Sequence, residues 1–479
     1  MKFEQIYNLL NKENLIIDTK KCFDDINYIS YNSKDIEKNT LFFCKGTHYK
    51  KEYLDEAINL GAVMYIAEEN YNLGNIPYII VKDIRIAMAV ISINFYNNSH
   101  KNLTTIGITG TKGKTTVTYF LNSILNKYTG SKNAYLSTSY TYTGVREEKS
   151  HLTTPEALEL NKYMKEAVDS NIKYLTMEVA SQGYKKSRVY GLTFNYGIFL
   201  NISEDHISEE EHRDFNDYLN CKIEIMKLMD NAIINSDTDY YELVKSNCKN
   251  ITTYGSHDAD YIYKDIIKLD KGFKFTVVGK NYSNEFSIDM EGRFNVENAL
   301  AAIVVAKLIG VSDDIIQQGL KNINIVGRME IYEKNGITAV IDYAHNLISY
   351  TKLYESIKLD YTNRRIISIG GCVGSKAFNR RKDFGTVVGK YSDYVYLTSD
   401  DPGYEDINSI CKDITSYMTC DYEIIEDRYE AIKKAFLNAK SGDVIVIVGK
   451  GEEEYQKICG KCVPCSSDIA LTKKILLGE

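Results

Sequence analysis

Residues 103–125 constrain the architecture more than any other stretch. An apolar run, Leu103 to Thr109, leads into Gly110-Thr111-Lys112-Gly113-Lys114-Thr115-Thr116. A helical period then begins at Lys114 and sets Val117, Phe120, Leu121, Ile124 and Leu125 on one face. Strand, glycine turn and helix in this order aim unpaired backbone N–H groups and the positive helix end at one point, which suits a nucleotide phosphate. Lys114 adds a point charge for the β/γ-phosphates, and the Thr115 hydroxyl is placed to hold Mg²⁺. The general phosphate-loop pattern asks for glycine at position 108, where this chain has Ile108. The match is therefore to the narrower Gly-Thr-x-Gly-Lys-Thr-Thr. The Gly-x-Gly-x-x-Gly of dinucleotide enzymes is absent at this turn, which argues against an oxidoreductase.

The rest of the chain repeats the same α/β rhythm. Apolar runs at Ile172–Val179, Tyr196–Asn201 and Ala232–Asn235 each end in turn residues, as in a doubly wound parallel sheet. Residues 251–290 read as a small antiparallel insert, followed by helical patterns at Val296–Leu308 and Asp313–Lys321. Further strands are expected at Thr338–Asp342, Arg365–Ile369, Tyr394–Leu397 and Val444–Val448. A polar run at 97–101 reads as a linker, and a second boundary falls near Gly327-Arg328. With 479 residues, the parse is three α/β domains: 1–100, 101–327 and 328–479.

Composition narrows the partners. A net charge of −7, with no block of Lys and Arg, gives no nucleic-acid surface. No stretch is apolar and long enough to span a bilayer, and the N-terminus lacks a signal core. A cytoplasmic chain with ten mostly reduced cysteines is expected, acting as a monomer.

Polar groups gather at the strand ends around the phosphate loop. Glu178 closes one apolar run, where a carboxylate can hold a second Mg²⁺ through oxygen ligation. The next run ends in Asn201-Ile-Ser-Glu-Asp205-His206, and Lys222 follows on a helix.

These blocks carry a resemblance. Gly110–Thr116, Met177-Glu-Val-Ala-Ser181, Asn201–His206, Gly292-Arg-Phe-Asn-Val-Glu-Asn298 and Asp342-Tyr-Ala-His345 resemble the signatures of the Mur ligases. These ATP-dependent amide-forming enzymes of peptidoglycan precursor synthesis are related to folylpolyglutamate synthetases. Thr153-Thr154-Pro155, Gly327-Arg-Met-Glu330, Gly371-Cys-Val-Gly374, Asp400-Asp-Pro-Gly403 and Gly449-Lys-Gly-Glu-Glu453 are similar to the branch that adds the third residue to UDP-N-acetylmuramoyl-L-Ala-D-Glu. Asn32-Ser33-Lys34 and Phe42-Phe-Cys-Lys-Gly46 resemble its uridine-binding domain.

The resemblance implies a role for each residue. Gly110, Thr111, Lys112, Gly113, Lys114, Thr115 and Thr116 would take the ATP phosphates, with Asn295 at adenine and Arg328, Asp342 and His345 closing over the nucleotide. Thr115, Glu178, His206 and a carbamylated Lys222 would hold magnesium. Lys114, Glu178, His206 and Lys222 form the catalytic set. Ser33, Thr153, Thr154 and Arg188 would bind the UDP-muramoyl-dipeptide, and Asp400, Asp401, Gly449 and Glu453 the free amino acid. The first domain would then bind the UDP-sugar, the second ATP and the third the amino acid. The implied chemistry passes through an acyl phosphate, which domain closure would shield from water.

The chain also departs from the pattern. Glu-Val-Ser-Ser-His becomes Glu178-Val-Ala180-Ser181-Gln182, two extra residues fall between His206 and the Lys222 helix, and an Asp-Arg-Asp stretch becomes Ser375-Lys376-Ala377. Branch members that select meso-diaminopimelate carry Arg at the position of Gly403, where it pairs with the distal carboxylate. Its absence predicts no selection for diaminopimelate. Asp401 either favours a cationic side chain such as lysine or ornithine, or faces solvent. Cys459, Cys462 and Cys465 have metal-ligand spacing without an evident fourth ligand, and the reading adopted is a loop with incidental thiols. Two other functions stay open: a paralogue forming a different amide, and a nucleotide-binding partner protein that no longer ligates.

Overall fold

The computed structural model of the protein describes every residue except 47, 48, 206, 209, 210, 324 and 479. Three sheets follow one another along the chain: five strands within residues 16–81, eleven within 104–288 and six within 330–448. A two-stranded hairpin, Tyr455–Ile458 with Lys461–Pro464, comes after them.

The middle sheet positions the phosphate loop. Thr104–Thr109 lies between Tyr174–Glu178 on one side and Phe194–Phe199 on the other, and Met229–Asn235 follows, all parallel. These strands are apolar along most of their length because helices cover both faces, so neither face meets solvent. Helices Lys114–Thr129 and Phe294–Ile309 pack on one face, with Phe120, Leu121, Ile124, Leu300, Ile303 and Val304 in the core. Helices Ala157–Asp169 and Phe215–Lys227 close the other through Leu160, Met164, Tyr218, Ile223 and Met226. Between Tyr174–Glu178 and Phe194–Phe199 the chain crosses from one side of Thr104–Thr109 to the other. That crossing opens a crevice at the carboxyl ends of the strands, where α/β sheets bind ligands.

Residues 251–290 differ from the sequence reading. Ile251–Gly255 pairs in parallel with Met229–Asn235, and three strands from Tyr261 to Ile288 continue from its far edge, antiparallel to one another. Phe273, Phe275 and Val277 alternate inward onto the same core as the phosphate-loop helix, so this segment extends the sheet. The supposed linker is also packed: Ser99–Asn102 forms a 3₁₀ turn with Ser99 and His100 buried.

In the third sheet Ile337–Asp342, Val444–Val448, Ile366–Gly370 and Tyr394–Leu397 lie side by side and parallel. Each is mostly hydrophobic because it is central, with Thr338, Asp342 and Ser368 as buried polar exceptions. Asp342, Gly371, Asp400 and Gly449 therefore fall at or just beyond one edge of the sheet.

Candidate active site

The helix Lys114–Thr129 has no side chain capping its first turn, so its leading N–H groups stay available for an anion. Gly113 precedes it at φ +87°, and a Cβ there would stand 2.5 Å from Asn298 Oδ1. Only glycine fits that approach. Lys114 is half-buried, and its Nζ donates to the carbonyls of Gly110 (2.9 Å) and Thr111 (3.2 Å). Among the described residues it forms no ion pair. Burial lowers its pKa, with Glu178 and Asp205 opposing the shift. A buried ammonium held only by carbonyls is prepared for an anionic ligand.

Glu178 is fully buried at the end of its strand. Its carboxylate accepts from Thr115 Oγ1 (2.8 Å), Thr138 N (2.8 Å) and Thr138 Oγ1 (3.0 Å), all neutral donors. A buried carboxylate beside hydroxyl oxygens, with no ion pair among the described residues, fits a hard divalent cation. Lys222, 1% exposed, donates from Nζ to Gly110 O (2.8 Å) behind the loop. Burial first, and Lys114 second, drive its pKa well down. A neutral amine is the form that carbamylation requires. His206 lies outside the described residues.

A cavity of about 360 Å³ gathers Thr111–Thr116, Thr153, Glu178, Asn295, Arg328, Asp342 and His345 into one wall. Two domains meet across it. Lys112 Nζ donates to His345 Nε2 (2.7 Å), whose Nδ1 donates to Tyr343 O (2.8 Å). Burial brings Lys112 down to about 7 and keeps the imidazole neutral. Arg328 lies over the Tyr343 ring at 4.7 Å, and Asp342 Oδ2 accepts from Met329 N (2.9 Å). Burial raises the Asp342 pKa, against the pull of Arg328. Asn295 Oδ1 accepts from Asn298 Nδ2 (2.9 Å). Gly110 stands just outside the cavity, its carbonyl occupied by the two lysines.

Residues 108–306 match the Mur ligase middle domain, and residues 327–451 match the glutamate ligase domain of Mur ligases. The chain belongs to the Mur ligase family. It is thereby an ATP-dependent, amide-forming ligase. A relative from Streptococcus sanguinis, named UDP-N-acetylmuramoyl-L-alanyl-D-glutamate–L-lysine ligase, is 41% identical over 94% of this chain and 92% of its own. One of the same name from Enterococcus faecalis is 39% identical, over 94% of this chain and 92% of its own. A solved UDP-N-acetylmuramoyl-L-alanyl-D-glutamate–2,6-diaminopimelate ligase has the same fold, with a TM-score of 0.65, 24% identity and coverage of 99% and 98%.

In this Mur ligase the remaining expected residues divide into two groups. Thr154 lies behind Glu178: its Oγ1 donates to Glu178 O (3.0 Å) and accepts from Ala180 N (2.9 Å). Arg188 is buried, forked onto Glu156 (3.0 and 2.9 Å), with Nη1 on Thr154 O (3.1 Å). Glu156 also takes Lys45 from the first domain (2.5 Å). Ser33 sits apart in that domain, donating to Glu56 (2.6 Å). Gln182, at the family's histidine position, has a buried amide with no hydrogen-bond partner among the described residues.

The second group lies in the third domain. Asp400 is buried, and its Oδ2 would be 2.8 Å from a Cβ on Gly449. Burial raises its pKa to about 6, against Arg428 and Lys450. Asp401 Oδ1 accepts from Lys450 Nζ (2.8 Å) and Lys457 N (3.1 Å). Glu453 accepts from Lys450 Nζ (2.5 Å) and Tyr343 Oη (2.9 Å). Tyr343 also lines the nucleotide cavity, so one side chain links both groups. Asp401 is thus neither solvated nor a bare charge. Gly403 adopts φ +59°, a conformation costly for an arginine, and a Cβ there would lie 3.3 Å from Ser375 Oγ.

Sequence reasoning missed several contributors. Thr138 follows the short strand Ala134–Leu136, which pairs with Tyr174–Glu178; the strand-end rule that found Glu178 would have reached it. Asp205 accepts from Arg380 Nη2 (2.7 Å) and Asn346 Nδ2 (2.7 Å), bridging the second and third domains. Lys450 and Arg428 also went unassigned. The cysteine run forms a hairpin, with all three thiols exposed. Cys462 lies on the second strand and Cys465 just beyond it, and the three thiols do not gather into a group of ligand type among the described residues. Among the described residues the cluster of ligand type is His212, Asp217 and Cys221, where Lys185 already neutralises Asp217 (2.5 Å).

Proposed function

We propose that this ligase joins L-lysine to UDP-N-acetylmuramoyl-L-alanyl-D-glutamate, using ATP and Mg²⁺. The observation that carries the choice of amine is the loop at Gly403. Its left-handed backbone and close approach to Ser375 disfavour the arginine that would read diaminopimelate, while Asp400, Asp401 and Glu453 outnumber Lys450. The lysine-ligase names of relatives near 40% identity support the same reading.

Residues 1–100 are taken to hold the UDP-sugar, 101–327 the ATP, and 328–479 the amino acid. The glutamyl carboxylate attacks the γ-phosphorus of ATP, displacing ADP, and becomes an acyl phosphate; the neutral amine of lysine then attacks its carbonyl, phosphate leaves and the surplus amine proton is lost. Lys114 and the N-terminus of its helix hold the phosphates as charge shifts between them. Thr115 and Glu178, with His206 and carbamylated Lys222 carried over from the family, would hold magnesium, which adds positive charge beside the phosphate oxygens. Asn295 and Arg328 orient the nucleotide, and Thr153, Thr154 and Arg188 shape the dipeptide end. The Lys112–His345 and Asp205–Arg380 contacts hold the domains together and exclude water. No helix among the described residues is long and apolar enough to cross a membrane.

The test is phosphate release from ATP and Mg²⁺ with the UDP-muramoyl-dipeptide, scanning lysine, ornithine, diaminopimelate and neutral amino acids. Release requiring both the nucleotide-sugar and lysine supports the proposal. Preference for diaminopimelate refutes the amine assignment. Silence with every donor, with ATP still bound, refutes the ligase reaction on this acceptor.

A further inference from the structure

The amino-acid group is built on two loops that the sheet does not hold together. Asp400 and Asp401 follow the strand Tyr394–Leu397, and Gly449–Glu453 follow Val444–Val448. Ile366–Gly370 runs between those strands, so the loops start about 10 Å apart at ordinary strand spacing. Lys450 spans the gap. Its side chain is 2% exposed, and its ammonium lies 2.8 Å from Asp401 Oδ1 and 2.5 Å from Glu453 Oε2, beneath the Tyr455 ring at 5.1 Å.

A lysine so buried is costly unless its charge is balanced, and an apolar side chain would fill the same space more cheaply. Here two carboxylates balance it, and a third, Asp400, stands close enough to raise its pKa further. Three acids around one base leave the cluster negative. Remove the base and the acids repel across the two loops. Lys450 takes Oδ1 of Asp401 and leaves Oδ2 without a donor among the described residues.

We propose that Lys450 is the positioning residue for the amine donor: it clamps Asp401 to Glu453 and so fixes the spacing and charge with which the pocket selects a diamine. This rests on the lysine-ligase reading and adds a residue to it. The lysine does not touch the reacting atoms; it acts through the two carboxylates.

Steady-state kinetics on the full chain test it, with lysine, ATP and the UDP-muramoyl-dipeptide varied in turn. Lys450→Met is expected to raise the KM for lysine about 30-fold or more, as for loss of one member of a buried ion pair. The KM values for ATP and the nucleotide-sugar should stay within about twofold, because those ligands bind elsewhere. Lys450→Arg keeps the charge and should recover most of the loss. Asp401→Asn with Lys450→Met should cost less than the two separate effects combined, since both act through one pair. An unchanged lysine KM, additive effects, or an equal rise in all three KM values would overturn the proposal, the last marking a purely structural role. If the wild type turns over with another amine but not lysine, the functional reading fails, and the same split measured on that amine still decides Lys450. If it turns over with no amine, both fall.

Discussion

Replacing Arg428 by methionine tests whether the amino-acid loops are held from beneath. Arg428 opens the helix Arg428–Asn438 and is buried. Its Nε and Nη2 donate to the two oxygens of Asp468 (2.7 and 2.8 Å), Nη2 also to Val448 O (2.8 Å), and Nη1 to Ser399 O (3.2 Å). Ser399 and Val448 immediately precede Asp400 and Gly449, so one guanidinium ties both loop bases to the helix Asp468–Thr472. Methionine keeps the stem volume and removes every donor. Asp468, itself 1% exposed, is then left with Gly451 N (3.0 Å) as its remaining donor among the described residues. Stranding one member of a buried pair costs about 3–5 kcal/mol. At about 2–4 °C per kcal/mol for a unit of this size, the third domain's transition should fall by roughly 6–20 °C. Differential scanning calorimetry without ligands reads this, the three cores being followed as separate transitions. Arg428→Met with Asp468→Leu removes the stranded charge as well and should recover much of the loss, because an apolar replacement of a buried pair is near neutral. A single-variant shift below about 2 °C, or a double variant less stable than the single, would refute the reasoning.

Lys114→Met should lower phosphate release by about 10²–10³-fold, as for loss of one preorganised charge at the reacting phosphate, with thermal unfolding little changed; turnover within tenfold of the wild type would exclude that role. Arg380→Ala leaves Asn346 (2.7 Å) as a described partner of Asp205 across the domain boundary, besides the more distant Lys112 (3.6 Å) of its own domain. It should lower kcat, with Arg380→Lys intermediate, and small-angle scattering with bound nucleotide should show a more open chain; compact scattering and normal kcat would dismiss the bridge. Burial raises Asp400 to about 6, above the ordinary carboxylate value of 3.8. Because the folded value is the higher one, the stability this group contributes is present at low pH and lost as pH rises through about 6. Binding runs the other way: the KM for lysine should rise as pH falls through about 6, and Asp400→Asn should remove that inflection. A wild-type KM profile flat from pH 5 to 8 would contradict it.

Local features were legible in the sequence, and features that depend on what stands opposite were not. The phosphate loop is one continuous strand, turn and helix, so Gly113, Lys114 and Thr115 could be placed from their own neighbours. Glu178 followed from the end of an apolar run. Asn295, Arg328, Asp342 and His345 came from family resemblance, and the cavity between the domains brings them together. Residues 251–290 show where periodicity fails: alternation identifies strands but not the edge they join, and Ile251–Gly255 pairs with a strand whose far side was free. The cysteine run fails in a complementary way, since its spacing suits a metal while its three thiols do not gather into a ligand group among the described residues. Lys450 sat inside a quoted motif and Arg380 beside one, and both still went unassigned. Their roles depend on Asp401 and Glu453 from separate loops, and on Asp205 in another domain. Each is a buried cation whose partner is remote in sequence. Burying such a charge is unfavourable unless the fold delivers the acid, so loop clamp and domain bridge alike are tertiary properties. The same dependence explains why they are sharp places to test the enzyme: removing the cation strands an acid that the rest of the fold still holds in place.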